Sequence, residues 1–151
     1  MIISDSTTLI ILFDLQRLEL LSTLFSEVLI PKAVYDEISV KKEITLPNFM
    51  KVKEVSSCDK LDTLMMLLDL GESEAIALAL ELKMPLIIDE KKGRKIALQE
   101  GIKILGLLGV VYLNIKKEYL TVQEAQAFLA DALSHGYRIS QHLIDEMFDS
   151  L

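Results

Sequence analysis

Short apolar runs, each followed by polar residues and a helical pattern, constrain the fold of this 151-residue chain more than any other feature. The runs are Met1–Ser4, Val28–Ile30, Leu86–Ile88 and Ile102–Leu105. Strands that are buried on both faces are continuously apolar, and strands that alternate with helices form parallel sheets. The sequence therefore predicts an α/β fold in which a parallel sheet is covered by helices on both faces.

Helical patterns fill most of the chain between these runs. Apolar residues from Leu9 to Leu21 recur at helical spacing, with Thr7 or Thr8 as the N-cap, and Pro31 opens a second helix. The stretch 39–59 is polar and irregular, with a short strand over Val52–Val55. The later helices are predicted at Leu61–Leu70, Glu72–Glu81, Lys91–Glu100, Gly109–Lys117, Thr121–Ser134 and His142–Leu151, with an interruption at Gly71 and a cap at Ser140. Because the chain has no internal repeat and no linker, we expect residues 1–151 to form one domain.

Composition limits the functional classes. The net charge is -7, from 16 basic and 23 acidic residues, so bulk electrostatic attraction to nucleic acid is not expected. The single cysteine, Cys58, excludes an intrachain disulfide and fits a reducing cytoplasm. The N-terminus lacks the basic region of a signal peptide, and no run approaches about 20 apolar residues. We therefore expect a cytoplasmic protein without a membrane partner.

Acidic residues stand where the predicted strands end. Asp5 follows the first strand and Asp89 follows the Leu86–Ile88 strand, so neighbouring strands would bring the two carboxylates to one sheet edge. Glu37 and Glu74 lie on helices that could point into the same pocket. Carboxylates in such a cluster repel each other unless a cation lies among them, and their hard oxygens suit Mg²⁺ or Mn²⁺. Each residue also has an ordinary structural explanation as a turn, cap or solvated helix position, so spacing alone cannot name a reaction.

The order of these segments resembles that of PIN domains. MIISDSTTLIIL is similar to the opening PIN block, LIPKAVYDEI to the second, and GESEAIALALEL with LIIDEKKGRKIA to the third and fourth acidic blocks. The segment order and the ending SHGYRISQHLIDEMF resemble a family of small prokaryotic PIN-like proteins that are related to VapC toxins. The resemblance covers almost the whole chain. It implies a three-layer α/β/α fold with a central parallel sheet of about five strands.

The resemblance also implies a site and an activity. By position, Asp5, Glu37, Glu74 and Asp89 match the four PIN acids, and Glu90 is the alternative fourth acid. Thr7, with its neighbour Ser6, matches the hydroxyl that hydrogen-bonds within the site. The implied activity is that of a ribonuclease that uses Mg²⁺ or Mn²⁺, and the implied role is that of the toxin in a toxin–antitoxin pair. Such a protein would have an RNA substrate, a small antitoxin protein as its partner, and a homodimeric state. The sequence departs from the VapC pattern because it lacks the Thr-x-Asp-x-x-Phe block, which leaves the fourth acid and toxin activity open.

Two further interpretations remain from the sequence. The basic residues Lys91, Lys92, Arg94 and Lys95 either hold RNA phosphates or form a solvated helix face. A chain with this fold could also be a non-catalytic module that binds nucleic acid or protein. A phosphotransfer site is disfavoured, because position 7 is Thr7 where a second aspartate would be needed and Asp5 is the only acid after the first strand.

Overall fold

The sheet is entirely parallel. The structure, a computed structural model, describes residues 1–40 and 43–151. In these residues five strands pair in the order β3-β2-β1-β4-β5, and their bounds are β1 Ile2–Ser4, β2 Val28–Pro31, β3 Met50–Lys53, β4 Leu86–Ile87 and β5 Ile104–Leu105. The chain runs outward from β1 to β3 and then returns to place β4 on the other side of β1. The predicted α/β fold is confirmed, and strand order reverses between β1 and β4, where Asp5 and Asp89 follow the strands.

The helices account for most of the remaining residues. Their bounds are α1 Ser6–Asp14, α2 Glu19–Ser22, α3 Lys32–Ile38, α4 Asp59–Met65, α5 Leu70–Leu82, α6 Lys91–Gln99, α7 Leu107–Lys116, α8 Val122–Ser134 and α9 Gln141–Asp149. Ser140 caps α9 as predicted, since its hydroxyl accepts a hydrogen bond from the Leu143 N–H. Thr121 and Glu124 form a reciprocal capping box at the start of α8.

The first predicted helix is wrong at both ends. Asp5 occupies the N-cap position and α1 begins at Ser6, so Thr7 and Thr8 lie inside the helix and neither is its cap. The helix also ends at Asp14 and does not continue to Leu21. Gln16 adopts a left-handed conformation, with a φ of 57°, and the Arg17 N–H bonds back to the Leu12 carbonyl. This is a helix-terminating Schellman pattern formed without glycine, so no glycine marks the end of the helix in the sequence.

The predicted break at Gly71 is also wrong. The helix predicted over Leu61–Leu70 ends at Met65, and α5 already begins at Leu70, so Gly71 lies in its first turn. Asp69 is the N-cap of α5, because its Oδ1 accepts a hydrogen bond from the Glu72 N–H at 2.8 Å. The shift places Glu72 in the first turn of α5. Likewise α7 begins at Leu107, two residues before its predicted start.

The core lies on both faces of the sheet because successive strand residues point in opposite directions. Ile2 and Ile87 pack with α1, α2, α3, α7, α8 and α9 on one face. Ile3 and Leu86 pack with α4, α5 and α6 on the other face. The helices therefore form the outer layers of a three-layer α/β/α arrangement.

The strand predicted over Val52–Val55 is β3, and it begins two residues earlier, at Met50. Lys41 and Lys42, in the stretch predicted to be irregular, lie outside the described residues. Within the described part of the chain, no helix has the length and apolar character needed to cross a membrane.

Candidate metal centre

Asp5 is buried at the point where strand order reverses. Its backbone N–H donates to the Ile87 carbonyl at 2.9 Å, which fixes the end of β1 against β4. The residue is 4% exposed, and its Oδ1 has no hydrogen-bond partner among the residues that the structure describes. Burial raises the pKa of the Asp5 carboxyl to about 7, against the opposing effect of a hydrogen bond with the Ser6 backbone, and the charges of Asp69, Glu37 and Asp89 raise it further. An added positive charge would therefore stabilise this carboxylate.

Glu37 approaches from α3. Its Oε2 accepts a hydrogen bond from the Ser6 hydroxyl at 2.6 Å, so the residue beside Asp5 also holds Glu37. A Cβ at Gly71 would lie 3.0 Å from Glu37 Oε1. The absence of a side chain at Gly71 therefore lets the Glu37 carboxylate lie against the first turn of α5, where the helix dipole favours negative charge.

Glu72 is a second buried carboxyl group with an unsatisfied oxygen. It is 8% exposed, and within residues 1–40 and 43–151 its Oε2 has no hydrogen-bond partner. Burial raises the pKa of Glu72 to about 9, and its contacts with Asp69, Glu90 and Asp5 act in the same direction. A Cβ at Gly93 would lie 2.8 Å from Glu72 Oε2, so a glycine in α6 admits this carboxyl group. Thus α5 and α6 both present their first turns to the acidic cluster.

Glu74 points elsewhere. Residues two apart in a helix differ by about 200° in direction, so Glu72 and Glu74 cannot face the same pocket. The Oε1 atom of Glu74 accepts a hydrogen bond from the Ala33 N–H at 3.0 Å, in the first turn of α3. The carboxylate predicted to be the third acid is therefore engaged with α3, and a metal-binding role for Glu74 stays a prediction.

Asp89 and Glu90 are both held by protein donors. Asp89 accepts a hydrogen bond from the Thr8 hydroxyl, and the Leu107 N–H lies 3.1 Å from each of its carboxylate oxygens. Glu90 is the N-cap of α6, and its Oε2 accepts from the Gly93 N–H at 2.9 Å. That hydrogen bond lowers the pKa of Glu90. Of the two candidates for the fourth acid, Glu90 is the one that contacts Glu72.

The hydroxyl groups at the site are those of Ser6 and Thr8. Thr7, which the family resemblance selects together with Ser6, is exposed on α1. Thr8 is buried, and it contacts Asp89 while Ser6 contacts Glu37. The sequence reasoning missed Thr8, Asp69 and Glu72. One signal was available: Asp69-Leu70-Gly71-Glu72 is a cap followed three residues later by Glu, which is typical of a helix start.

The predicted basic residues lie along a groove beside the acidic cluster. The groove has a volume of about 1510 Å³, and its lining includes Lys91, Lys92, Arg94 and Lys95 from α6, together with residues of β5, α7 and α9. Asp89 and Glu90 also line it, so the groove leads to the acidic edge of the sheet. Arg94 turns inward, because its Nη1 donates to the Ile88 carbonyl at 2.7 Å.

The donor set suits a hard divalent cation. Asp5 and Glu72 each supply a buried carboxylate oxygen that has no partner in the described part of the chain, and Glu37 lies beside Asp5. Such oxygens are the ligands that Mg²⁺ and Mn²⁺ prefer. Across residues 1–40 and 43–151, no group of three or more acidic, histidine or cysteine side chains has the geometry of a metal site as it stands. The chemistry of the cluster therefore fits a divalent cation.

The fold is a parallel α/β sheet with buried carboxylates at the edge where strand order reverses. The chain belongs to the PIN-domain family, because the family model described as DUF3368: PIN domain matches residues 1–151. The predicted family membership is thereby confirmed. PIN domains are generally nucleases and typically use divalent metal ions.

One solved structure that the chain matches is a PilT N-terminus domain protein from the hyperthermophilic archaeon Sulfolobus solfataricus P2. The identity is 15% and the TM-score is 0.41, over 93% of this chain and 100% of that protein. No curated protein matches this chain.

Proposed function

We propose that this chain is a divalent-metal-dependent endoribonuclease in which residues 1–151 act as a single PIN domain. The observation that carries the proposal is the pair of unpartnered buried oxygens, Asp5 Oδ1 and Glu72 Oε2, at the point where strand order reverses. Two such oxygens leave their carboxyl groups costly to ionise unless a cation neutralises them. Membership of the PIN-domain family supports phosphodiester hydrolysis as the reaction. The buried carboxyl groups of Asp5 and Glu72 support a metal ion as its cofactor.

The proposed ligands are Asp5, Glu37 and Glu72, and the metal is Mg²⁺ or Mn²⁺. These residues would hold the ion, which would supply activation of a water molecule and stabilisation of the charge on a phosphodiester during hydrolysis. Ser6 orients Glu37 through its hydroxyl group. Asp69 and Glu90 surround Glu72 and add negative charge that strengthens cation binding. Gly71 and Gly93 leave the space in which Glu37 and Glu72 reach the cluster.

The proposed substrate is RNA, and the groove beside α6 is where its backbone would lie. Lys91, Lys92 and Lys95 are accessible along the groove, and cationic side chains bind phosphates without selecting a sequence. The net charge of -7 makes a local concentration of cations more important than the overall charge. Cleavage should therefore be sensitive to salt concentration.

A toxin–antitoxin role is a narrower proposal. It requires a small protein partner that blocks cleavage, and a small upstream reading frame for a DNA-binding protein would support it. A homodimer is part of the same proposal. Exposed apolar side chains near the start of α5, including Met66 at 85% exposure and Leu70 at 47%, support such an interface.

The activity is tested with RNA, Mn²⁺ or Mg²⁺, and matched acidic variants. We expect the wild-type protein to cleave RNA only when a divalent ion is added. The variants Asp5→Asn and Glu37→Gln should show no measurable cleavage, because each removes a ligand charge while keeping the side-chain shape. Asp36→Asn is the matched control, since Asp36 neighbours Glu37 on α3 and its carboxylate pairs with Lys32 at the surface. Full activity in Asp5→Asn would overturn the proposal.

A non-catalytic module is the second candidate, and one observation favours it. Glu37, Glu74 and Asp89 already accept hydrogen bonds from Ser6, from the Ala33 N–H, and from Thr8 with the Leu107 N–H. A protein that needs no cation to satisfy these groups could keep the fold for binding alone. Titration with Mn²⁺ separates the candidates, because a competent site gains stability as metal is added.

A further inference from the structure

The family resemblance predicts that Asp89 is a metal ligand, but its carboxylate already accepts hydrogen bonds from other parts of the protein. The Leu107 N–H lies 3.1 Å from each oxygen, and the Thr8 hydroxyl donates to Oδ2. Leu107 is the first residue of α7, and the N-cap of that helix is Gly106, which has no side chain to cap it. Asp89 therefore supplies from β4 the cap that α7 lacks, with its charge placed favourably at the helix N-terminus.

The surroundings of Asp89 are built for this contact. A Cβ at Gly106 would lie 2.5 Å from Asp89 Oδ1 and 2.9 Å from Arg94 Nη1, so only glycine lets both groups approach this helix end. Arg94 donates to the Ile88 carbonyl and so fixes the peptide that precedes Asp89. The segment after β4 is therefore held by α6 through the Ile88 carbonyl and by α7 through the Asp89 carboxylate.

The contact with Thr8 extends this arrangement to the acidic cluster. Thr8 is the third residue of α1, Asp5 immediately precedes α1, and Ser6 opens it and holds Glu37. The first turn of α1 is thus held on one side through Ser6 and Glu37, and on the other through Thr8 and Asp89. Loss of the Asp89 contact would release the segment that carries Asp5.

We propose that Asp89 is a positioning residue which anchors the first turn of α1 to α7, and that it is not a ligand of the metal. This inference rests on the proposed metal-dependent nuclease function. It assigns the ligand roles to Asp5, Glu37 and Glu72 and separates Asp89 from them. A positioning role requires hydrogen-bond acceptance at residue 89, whereas a ligand role requires negative charge.

The variants Asp89→Asn and Asp89→Ala separate acceptance from charge. Asn keeps an oxygen that accepts from the Leu107 N–H, and Ala removes it. We expect Asp89→Ala to lower the rate of RNA cleavage by about 10- to 100-fold, the usual cost of losing a group that orients a ligand. Asp89→Asn should recover most of that loss and should bind Mn²⁺ within about threefold of the wild-type affinity, well inside the cost of losing such a group. Equal defects in Asp89→Asn and Asp89→Ala would overturn the proposal.

The donor side of the contact gives an independent test. Leu107→Pro removes the N–H at a helix position where proline is well tolerated. Leu107→Ala loses the same buried side chain but keeps the N–H, so it is the matched control. We expect Leu107→Pro to cleave RNA more slowly than Leu107→Ala, and to add no further defect to Asp89→Ala. Equal rates in the two Leu107 variants would contradict the anchoring role.

The wild-type protein distinguishes failure of this inference from failure of the proposed function. If wild type neither binds Mn²⁺ nor cleaves RNA, both are overturned. If wild type does both and Asp89→Asn loses Mn²⁺ binding as Asp5→Asn does, Asp89 is a ligand and only the positioning role is overturned.

Discussion

At the scale of single residues, the protonation of Asp5 and Glu72 makes the stability of the folded protein depend on pH. Their folded-state pKa values are about 7 and about 9, against ordinary values of 3.8 and 4.5. The folded protein holds these protons more tightly than the unfolded chain does. The resulting contribution to stability is complete below about pH 4, and it is lost as pH rises through 7 for Asp5 and through 9 for Glu72.

This coupling predicts how Asp5→Asn changes the pH profile of the metal-free protein. In the presence of a chelator, the melting temperature of wild type should fall relative to that of the variant as pH rises from 4 to 8. The difference should reach several degrees, since 1 kcal/mol shifts the melting temperature of a chain this size by about 2–4 °C. Parallel profiles for the two proteins would show that Asp5 titrates normally. Calorimetry across this pH range makes the comparison.

The sequence did not predict the directions in which the side chains of the helices point. A shift of one or two residues in a helix start turns a side chain by about 100° or 200°. The choice between Glu72 and Glu74, and between Thr7 and Thr8, depends on where α5 and α1 begin. Asp5 was predictable because it directly follows a strand, where its position does not depend on helix register.

Contact between helices explains a buried polar residue at the scale of elements. Asn114 in α7 is fully buried, and its Nδ2 donates to the carbonyls of Leu20 and Val110. Its Oδ1 accepts from the Thr23 hydroxyl at 2.6 Å, so one side chain links α7 to both ends of α2. This network satisfies the Leu20 carbonyl, which the short helix α2 leaves free.

Removing that side chain should destabilise the fold without altering the acidic cluster. Asn114→Ala should lower the free energy of unfolding by about 2–4 kcal/mol, because buried partners lose their hydrogen bonds. Asn48→Ala, at an exposed position, is the control and should change it by less than about 0.5 kcal/mol. Denaturant unfolding measures both, and an equal, small effect would show that the network contributes little.

The sequence predicts whether a segment is a helix or a strand where its apolar pattern is strong, but it does not predict the residues at which helices begin and end. The apolar runs gave the strands because parallel strands are buried on both faces. The end of α1 at Asp14 and the interval between α4 and α5 depend on the left-handed Gln16 and the Asp69 cap. Neither uses the glycine or proline that usually marks a helix end.

At the scale of the whole molecule, charge and topology act together. The sheet order brings β1 and β4 side by side, which concentrates carboxylates in a chain that already carries a net charge of -7. The first turns of α5 and α6 face this concentration and partly offset it. A bound divalent cation would neutralise the remaining negative charge, so we expect metal binding to stabilise the folded protein.

The most direct measurement is thermal unfolding with and without Mn²⁺ at pH 8 for wild type, Glu72→Gln and Glu74→Gln. Glu72→Gln removes a proposed ligand charge, and Glu74→Gln keeps an oxygen to accept from the Ala33 N–H. We expect Mn²⁺ to raise the melting temperature of wild type and of Glu74→Gln, and to have little effect on that of Glu72→Gln. A wild-type protein that gains no stability from Mn²⁺, or a Glu72→Gln variant that gains as much as wild type, would contradict this expectation.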